Sequence, residues 1–69
     1  MEHDIYKIIE LTGTSGTSIE DAVQTAIGVA GRTIRNMSWF EVSETRGKVD
    51  QGKVTQWQVT VKIGFKIEA

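Results

Sequence analysis

Sixty-nine residues with no cysteine and no proline make one small domain, residues 1–69, without a disulfide framework or a thiolate metal site. The chain is 25% charged and 39% hydrophobic with a formal net charge of -1, the composition of a folded chain with no basic field for nucleic acid or anionic membrane. Its apolar runs are too short to span a bilayer, and Met1-Glu2-His3-Asp4 is acidic, unlike a secretory leader, so a cytoplasmic location is expected.

Ile5 to Leu11 is short, β-branched and apolar at Ile5, Ile8, Ile9 and Leu11, with Tyr6 among them, which predicts a strand. Thr12-Gly13-Thr14-Ser15-Gly16-Thr17-Ser18 reads as a connector. It ends on Ser18 as a helix N-cap, with Glu20 and Asp21 placed to offset the helix dipole. Apolar residues then recur at 19, 22, 23, 26, 27, 30, 34 and 37, the spacing of one amphipathic helix of about four to five turns. Gly28 and Gly31 fall inside that helix, where each costs about 1 kcal/mol against alanine. Close approach of a neighbouring element or subunit would account for them.

Beyond Asn36 the period changes to two. In Ser38 to Lys48, Phe40 and Val42 share the helix-packing face, while Trp39, Glu41, Ser43 and Thr45 take the other. Gly47 to Gly52 is a turn region with Asp50-Gln51-Gly52 at its tip. Thr55, Trp57, Val59, Val61, Ile63, Phe65 and Ile67 then alternate with polar or small residues, predicting a half-buried antiparallel strand of about thirteen residues. The expected fold is α+β in the order β-α-β-β, a three-stranded antiparallel sheet curled around one helix. Strands this long reach some 40 Å at about 3.4 Å per residue, more than one helix covers. A chain this small buries only about 60% of its unfolded surface, so self-association is expected to supply the missing stability.

The templates of enzyme chemistry are not met, and no catalytic residue is assigned. His3 is the single histidine and reads as a solvated terminal residue. Ser15 and Ser18 lie in the connector with no base beside them and serve turn and cap. Gly13-Thr14-Ser15-Gly16 leads from strand to helix, where phosphate loops occur, but it lacks the lysine of a Walker motif and the third glycine of a dinucleotide fingerprint. Glu41 and Glu44 fall on opposite faces of a regular strand, which separates them as an acid/base pair.

Two tryptophans remain, on opposite faces. Trp57 falls among Val59, Val61 and Phe65 and is assigned to the core. Trp39 falls opposite the Phe40/Val42 face, and spacing leaves three readings open: a lone exposed residue, an oligomer contact or a stacking platform. Gln58 falls on the corresponding outer face of the next strand. Its amide both donates and accepts, as reading the edge of a planar heterocycle requires.

Leu11-Thr12-Gly13-Thr14-Ser15, the helix, Trp39-Phe40-Glu41-Val42, Arg46-Gly47, Gln58-Val59 and Gly64-Phe65, in that order over nearly the whole chain, resemble the bacterial branch of the dodecin family. The resemblance implies a hollow homododecamer of strand-helix-strand-strand subunits. It implies flavins bound in pairs at subunit interfaces, between tryptophans of two-fold-related chains, so that flavin is stored or buffered and its photochemistry quenched. Residue by residue, it implies Trp39 as the stacking tryptophan and Gln58 as the partner of the polar edge of the isoalloxazine ring. Arg46 would hold a phosphate, favouring FMN over riboflavin, and Glu44 stands where the archaeal branch has an aspartate near the ribityl chain. Lys66 matches a position where some bacterial members contact coenzyme A at a separate, three-fold interface. The chain departs from the pattern at Ser38, where an acid is usual, and at Trp57, where a smaller aromatic is common.

The alternative is a small homo-oligomeric interaction or coenzyme A-binding module without flavin. A third reading, single-stranded nucleic-acid binding through Trp39 and Lys62, needs several stacking aromatics and a positive groove. One outer aromatic and a net charge of -1 disfavour it.

Overall fold

The computed structural model describes residues 3–67; Met1 and Glu2 of the acidic N-terminal stretch, like Glu68 and Ala69, lie outside the described residues. The elements run β1 (Ile5–Ser15), α1 (Ile19–Ala30), β2 (Met37–Asp50) and β3 (Lys53–Ile67). All pairings are antiparallel and the sheet order is β1-β3-β2, so the expected α+β, β-α-β-β layout holds. The strand with the cleanest alternation, β3, is the central one. Its Val59, Val61 and Ile63 are buried against Ala22, Ala26 and Ala30 of α1. Alanines on the buried stripe let the helix backbone approach the sheet, and Ile9, Leu11, Ile19, Val23, Ile27, Ile34 and Met37 close around them.

Three boundaries differ from the sequence reading, each for a physical reason. β1 continues through Thr12–Ser15 because the ladder to β3 continues: Thr12, Gly13, Thr14 and Ser15 face Thr60, Val59, Gln58 and Trp57. The Thr12 and Thr60 hydroxyls bond at 2.9 Å across that ladder. The connector shrinks to Gly16, Thr17 and Ser18.

α1 stops after twelve residues with Gly31 as C-cap. Ile34 and Met37 therefore reach the core from the segment after the helix, and Asn36 at φ 65° turns that segment into β2. The left-handed region is one that asparagine tolerates. Within this chain, a Cβ added at Gly28 meets nothing, so no neighbouring element demands that glycine. At Gly31 an added Cβ would lie 3.2 Å from Met37 Cε, and the tightest approach to the helix is at Gly13, where it would collide with the Ala22 carbonyl oxygen and lie 2.9 Å from Ala26 Cβ.

The hairpin turn is tighter than expected. Asp50 pairs with Lys53, and Gln51 (φ 50°) and Gly52 (φ 75°) supply the two positive φ values of a type I′ loop. The β2–β3 ribbon gives the molecule dimensions of 56 × 20 × 13 Å and a radius of gyration of 14.5 Å, against about 11 Å for a compact chain of this length. Its accessible surface of 5216 Å² exceeds the roughly 4,300 Å² of a typical monomer of this mass. Part of the excess is apolar. α1 packs on β1 and β3, which leaves Phe40 and Val42 on the helix side of β2 49% and 41% exposed.

The predicted cap is present. Ser18 Oγ accepts from the Asp21 amide at 3.0 Å. Behind it, Ser15 Oγ donates to Asp21 Oδ2 at 2.7 Å and accepts from the Thr17 amide at 2.9 Å. Ser18→Ala is expected to lower stability by about 1 kcal/mol, read as a shift in the urea midpoint at fixed protein concentration.

Candidate functional site

The face of the sheet away from α1 is set by ladder register, because residues opposite one another share a face and alternate along each strand. On β3 that face carries Gln58, Thr60, Lys62 and Gly64. Their β2 partners are Arg46, Glu44, Glu41 and Trp39 respectively. A regular strand could not do this. Val42 faces Val61 and Glu44 faces Thr60, so Ser43 is the extra residue of a β-bulge. Ser43 Oγ lies 3.2 Å from both Glu10 Oε2 and the Thr60 carbonyl oxygen. Beyond the bulge the phase of β2 is reversed. Glu41 and Glu44 therefore share a face, contrary to the period-two reading, and Thr45 passes to the helix side opposite buried Val59. The bulge places all four predicted site residues, Trp39, Glu44, Arg46 and Gln58, on one surface.

They do not form one cluster. Arg46 and Gln58 are directly opposed, with Glu44 two residues from Arg46. The Arg46 guanidinium meets Glu44 Oε1 at 2.6 Å, both groups being well exposed. Gln58 Nε2 donates to Gln56 Oε1 at 2.9 Å. Trp39 stands opposite position 64, not 58, so its backbone is about 20 Å along the sheet at about 3.4 Å per residue. One chain thus presents an aromatic end and a polar, charged end.

At the aromatic end the Trp39 indole is 40% exposed and lies over Gly64. A Cβ on Gly64 would collide with indole Cε2 and Cζ2, so the missing side chain is the seat for the ring. The sequence reading did not give Gly64 this part. Its signal was a residue without a side chain in the polar row Gln58, Thr60, Lys62, Gly64, Lys66. Tyr6 of β1 packs on the same indole, with centroids 6.1 Å apart and planes tilted by 57°. Lys66, the ladder partner of Tyr6, pairs with Asp4 Oδ1 at 3.1 Å.

Trp57 is on the helix side, as expected, but it is half-buried and outside the core cluster. It faces Ser15 and Gly47 where the ribbon runs past the start of α1, and it lines an open cavity with Ile19, Val49 and Val54. Among the described residues no group of three metal-ligating side chains converges, and no helix is long and apolar enough to cross a membrane.

Comparison with known proteins agrees along the whole fold. The dodecin family profile matches residues 5–68. A dodecin of Thermus thermophilus is 42% identical over 64 residues, 93% of this chain and 93% of that protein. The solved dodecin of Streptomyces coelicolor superposes with a TM-score of 0.91 at 39% identity, covering 100% of this chain and 99% of that one. That of Streptomyces davaonensis gives 0.90 at 35% identity, covering 99% and 100%.

Proposed function

This chain belongs to the dodecin family, and from that premise we propose that it binds flavin at subunit interfaces of a homododecamer, storing or buffering FMN and quenching its photoreactivity. The observation that carries the reading is the indole of Trp39, seated over Gly64 and 40% exposed on the sheet face. An indole so placed is a stacking platform for a planar heterocycle. It is also electron-rich. It can pass one electron to a photoexcited isoalloxazine and take it back, returning both to the ground state with no net redox change. Such a cycle needs no acid, base or nucleophile, and the protein acts as a binder and not as an enzyme.

The separation of Trp39 from Gln58 explains why the site would belong to an assembly. The two side chains are too far apart within a chain to serve one isoalloxazine ring. A two-fold axis through the middle of the face brings the Trp39 end of one subunit to the Gln58 end of another, and repeats the contact in reverse. That generates two equivalent sites, suited to a pair of flavins. Arg46 would exchange the Glu44 carboxylate for the FMN phosphate. An exposed ion pair is worth about 0–1 kcal/mol, whereas a guanidinium grips a phosphate in bidentate fashion. Glu44 would then accept hydrogen bonds from the ribityl hydroxyls. Phe40 and Val42, with Ile19, Val23 and Ile27, line an open groove of about 390 Å³ beside the helix, a surface suited to subunit contact. The surface excess over a typical monomer is about 900 Å², close to one partner's share of a standard interface.

Titrating the purified protein with FMN tests this reading. The expected result is strong quenching of flavin fluorescence, a change in the visible absorbance and elution at about twelve chains. A protein that leaves both signals untouched is the alternative module without flavin. Arg46→Ala is expected to weaken FMN binding about tenfold or more and to leave riboflavin binding unchanged. Equal losses for both ligands would remove the phosphate from the role of Arg46.

A further inference from the structure

Trp39 and Tyr6 sit on the two edge strands, with β3 between them. Neighbouring strands are about 4.8 Å apart, so these residues are two strand spacings and, by register, two ladder positions from each other at the backbone. Their rings nevertheless meet, with centroids at 6.1 Å. The contact passes over Gly64, which faces Ile8 on one side and Trp39 on the other. Any larger residue there would occupy the space of the indole. Trp39 therefore lies across the central strand and ends against the Tyr6 ring, the two planes tilted by 57°. That geometry is favourable for aromatic pairs. Tyr6 is itself held in a regular ladder position opposite Lys66, whose amide donates to the Asn36 carbonyl at 3.0 Å. Both rings are about 40% exposed, so neither is locked in place by burial.

We propose that Tyr6 and Gly64 are positioning residues for Trp39. Gly64 provides the seat, and Tyr6 is the stop that fixes the tilt of the indole before a ligand arrives. A tryptophan on an edge strand otherwise samples several rotamers, and ordering it on binding costs affinity. A preset ring removes that cost without touching the ligand. The consequence for affinity rests on the flavin reading of Trp39; the positioning is a property of the ligand-free protein.

The test uses a Trp57→Phe background, in which Trp39 is the one remaining tryptophan. Time-resolved anisotropy of its emission is recorded in the ligand-free protein and followed by FMN titration. Tyr6→Phe is expected to keep both the anisotropy and the FMN affinity of the parent. Tyr6→Ala and Tyr6→Leu are expected to add fast, nanosecond or shorter, motion of the indole. They are also expected to weaken FMN binding about three- to tenfold, while quenching at saturation persists. An indole that stays as rigid in Tyr6→Leu as in the parent overturns the role of Tyr6. Should both non-aromatic variants fail to fold, Gly64→Ala decides: unchanged Trp39 anisotropy there overturns the seat and with it the proposal. If FMN does not bind the parent at all, the flavin reading fails, and the anisotropy still decides the positioning.

Discussion

Trp39→Ala is expected to abolish most of the quenching of bound FMN and to weaken its binding about 10- to 100-fold. Stacking of a base on an aromatic side chain is worth about 1–3 kcal/mol, and the indole is both the stacking surface and the electron donor. Trp39→Phe separates the two parts. It keeps an aromatic face, so affinity should fall less, but phenyl is a poor electron donor and the fluorescence of bound flavin should recover. The second tryptophan does not substitute, because Trp57 faces Ser15 and Gly47 on the helix side of the sheet. Steady-state fluorescence and titration of the three proteins read both quantities. Quenching in Trp39→Ala equal to that of the parent would sink the platform reading.

The largest effect on stability is expected at Gly13. An alanine there would drive its Cβ into the Ala22 carbonyl oxygen and close to Ala26 Cβ. Neither obstacle is the end of a flexible side chain, so the helix has to lift off β1 and loosen the Ala22, Ala26 and Ala30 contact. Gly13→Ala is expected to cost about 3 kcal/mol, the upper end of overpacking penalties. For a chain of this size that lowers the Tm by roughly 12–24 °C, measured by circular dichroism at constant protein concentration because assembly shifts the midpoint. Gly28→Ala is the control. Its added methyl meets nothing in the chain, and helix propensity gains about 1 kcal/mol. A Tm for Gly13→Ala within a degree or two of the parent would show that the helix yields at no cost.

The elements that were legible in the sequence are those whose apolar residues record a phase. The helix from Ile19 and the strand from Thr55 to Ile67 did so, and both were found with the right faces. β2 did not. After Val42 there is no apolar residue before Val49. The stretch Ser43-Glu44-Thr45-Arg46-Gly47-Lys48 carries no mark of which way the strand points, and the bulge at Ser43 left no trace in hydropathy. That gap is why period two puts Glu44 on the wrong face and Trp39, upstream of the bulge, on the right one. β1 was cut short because Thr12–Ser15 have turn composition, and the ladder to β3 overrides that local preference. Helical spacing runs on past the end of α1 because Ile34, in the connector, and Met37, the first residue of β2, also reach the core. Nor does membership of a face give distance along it. The 20 Å between Trp39 and Gln58 follows from register, which a single sequence does not contain.

The sheet order has a consequence for how the protein comes into being. The backbone ladders of β1 and β2 run only to β3, and β3 follows both in the chain. While the nascent chain is emerging, β1 and β2 have no hydrogen-bonding neighbour, and the alanine stripe of α1 lacks Val59, Val61 and Ile63 to pack on. Non-local pairing of this kind makes folding wait for the distant partner. Folding therefore waits for the pairing of β3, the strand that organises both of its neighbours. A chain lacking Lys53–Ile67 loses both ladders and the Val59, Val61 and Ile63 half of the core, so the whole sheet depends on one strand.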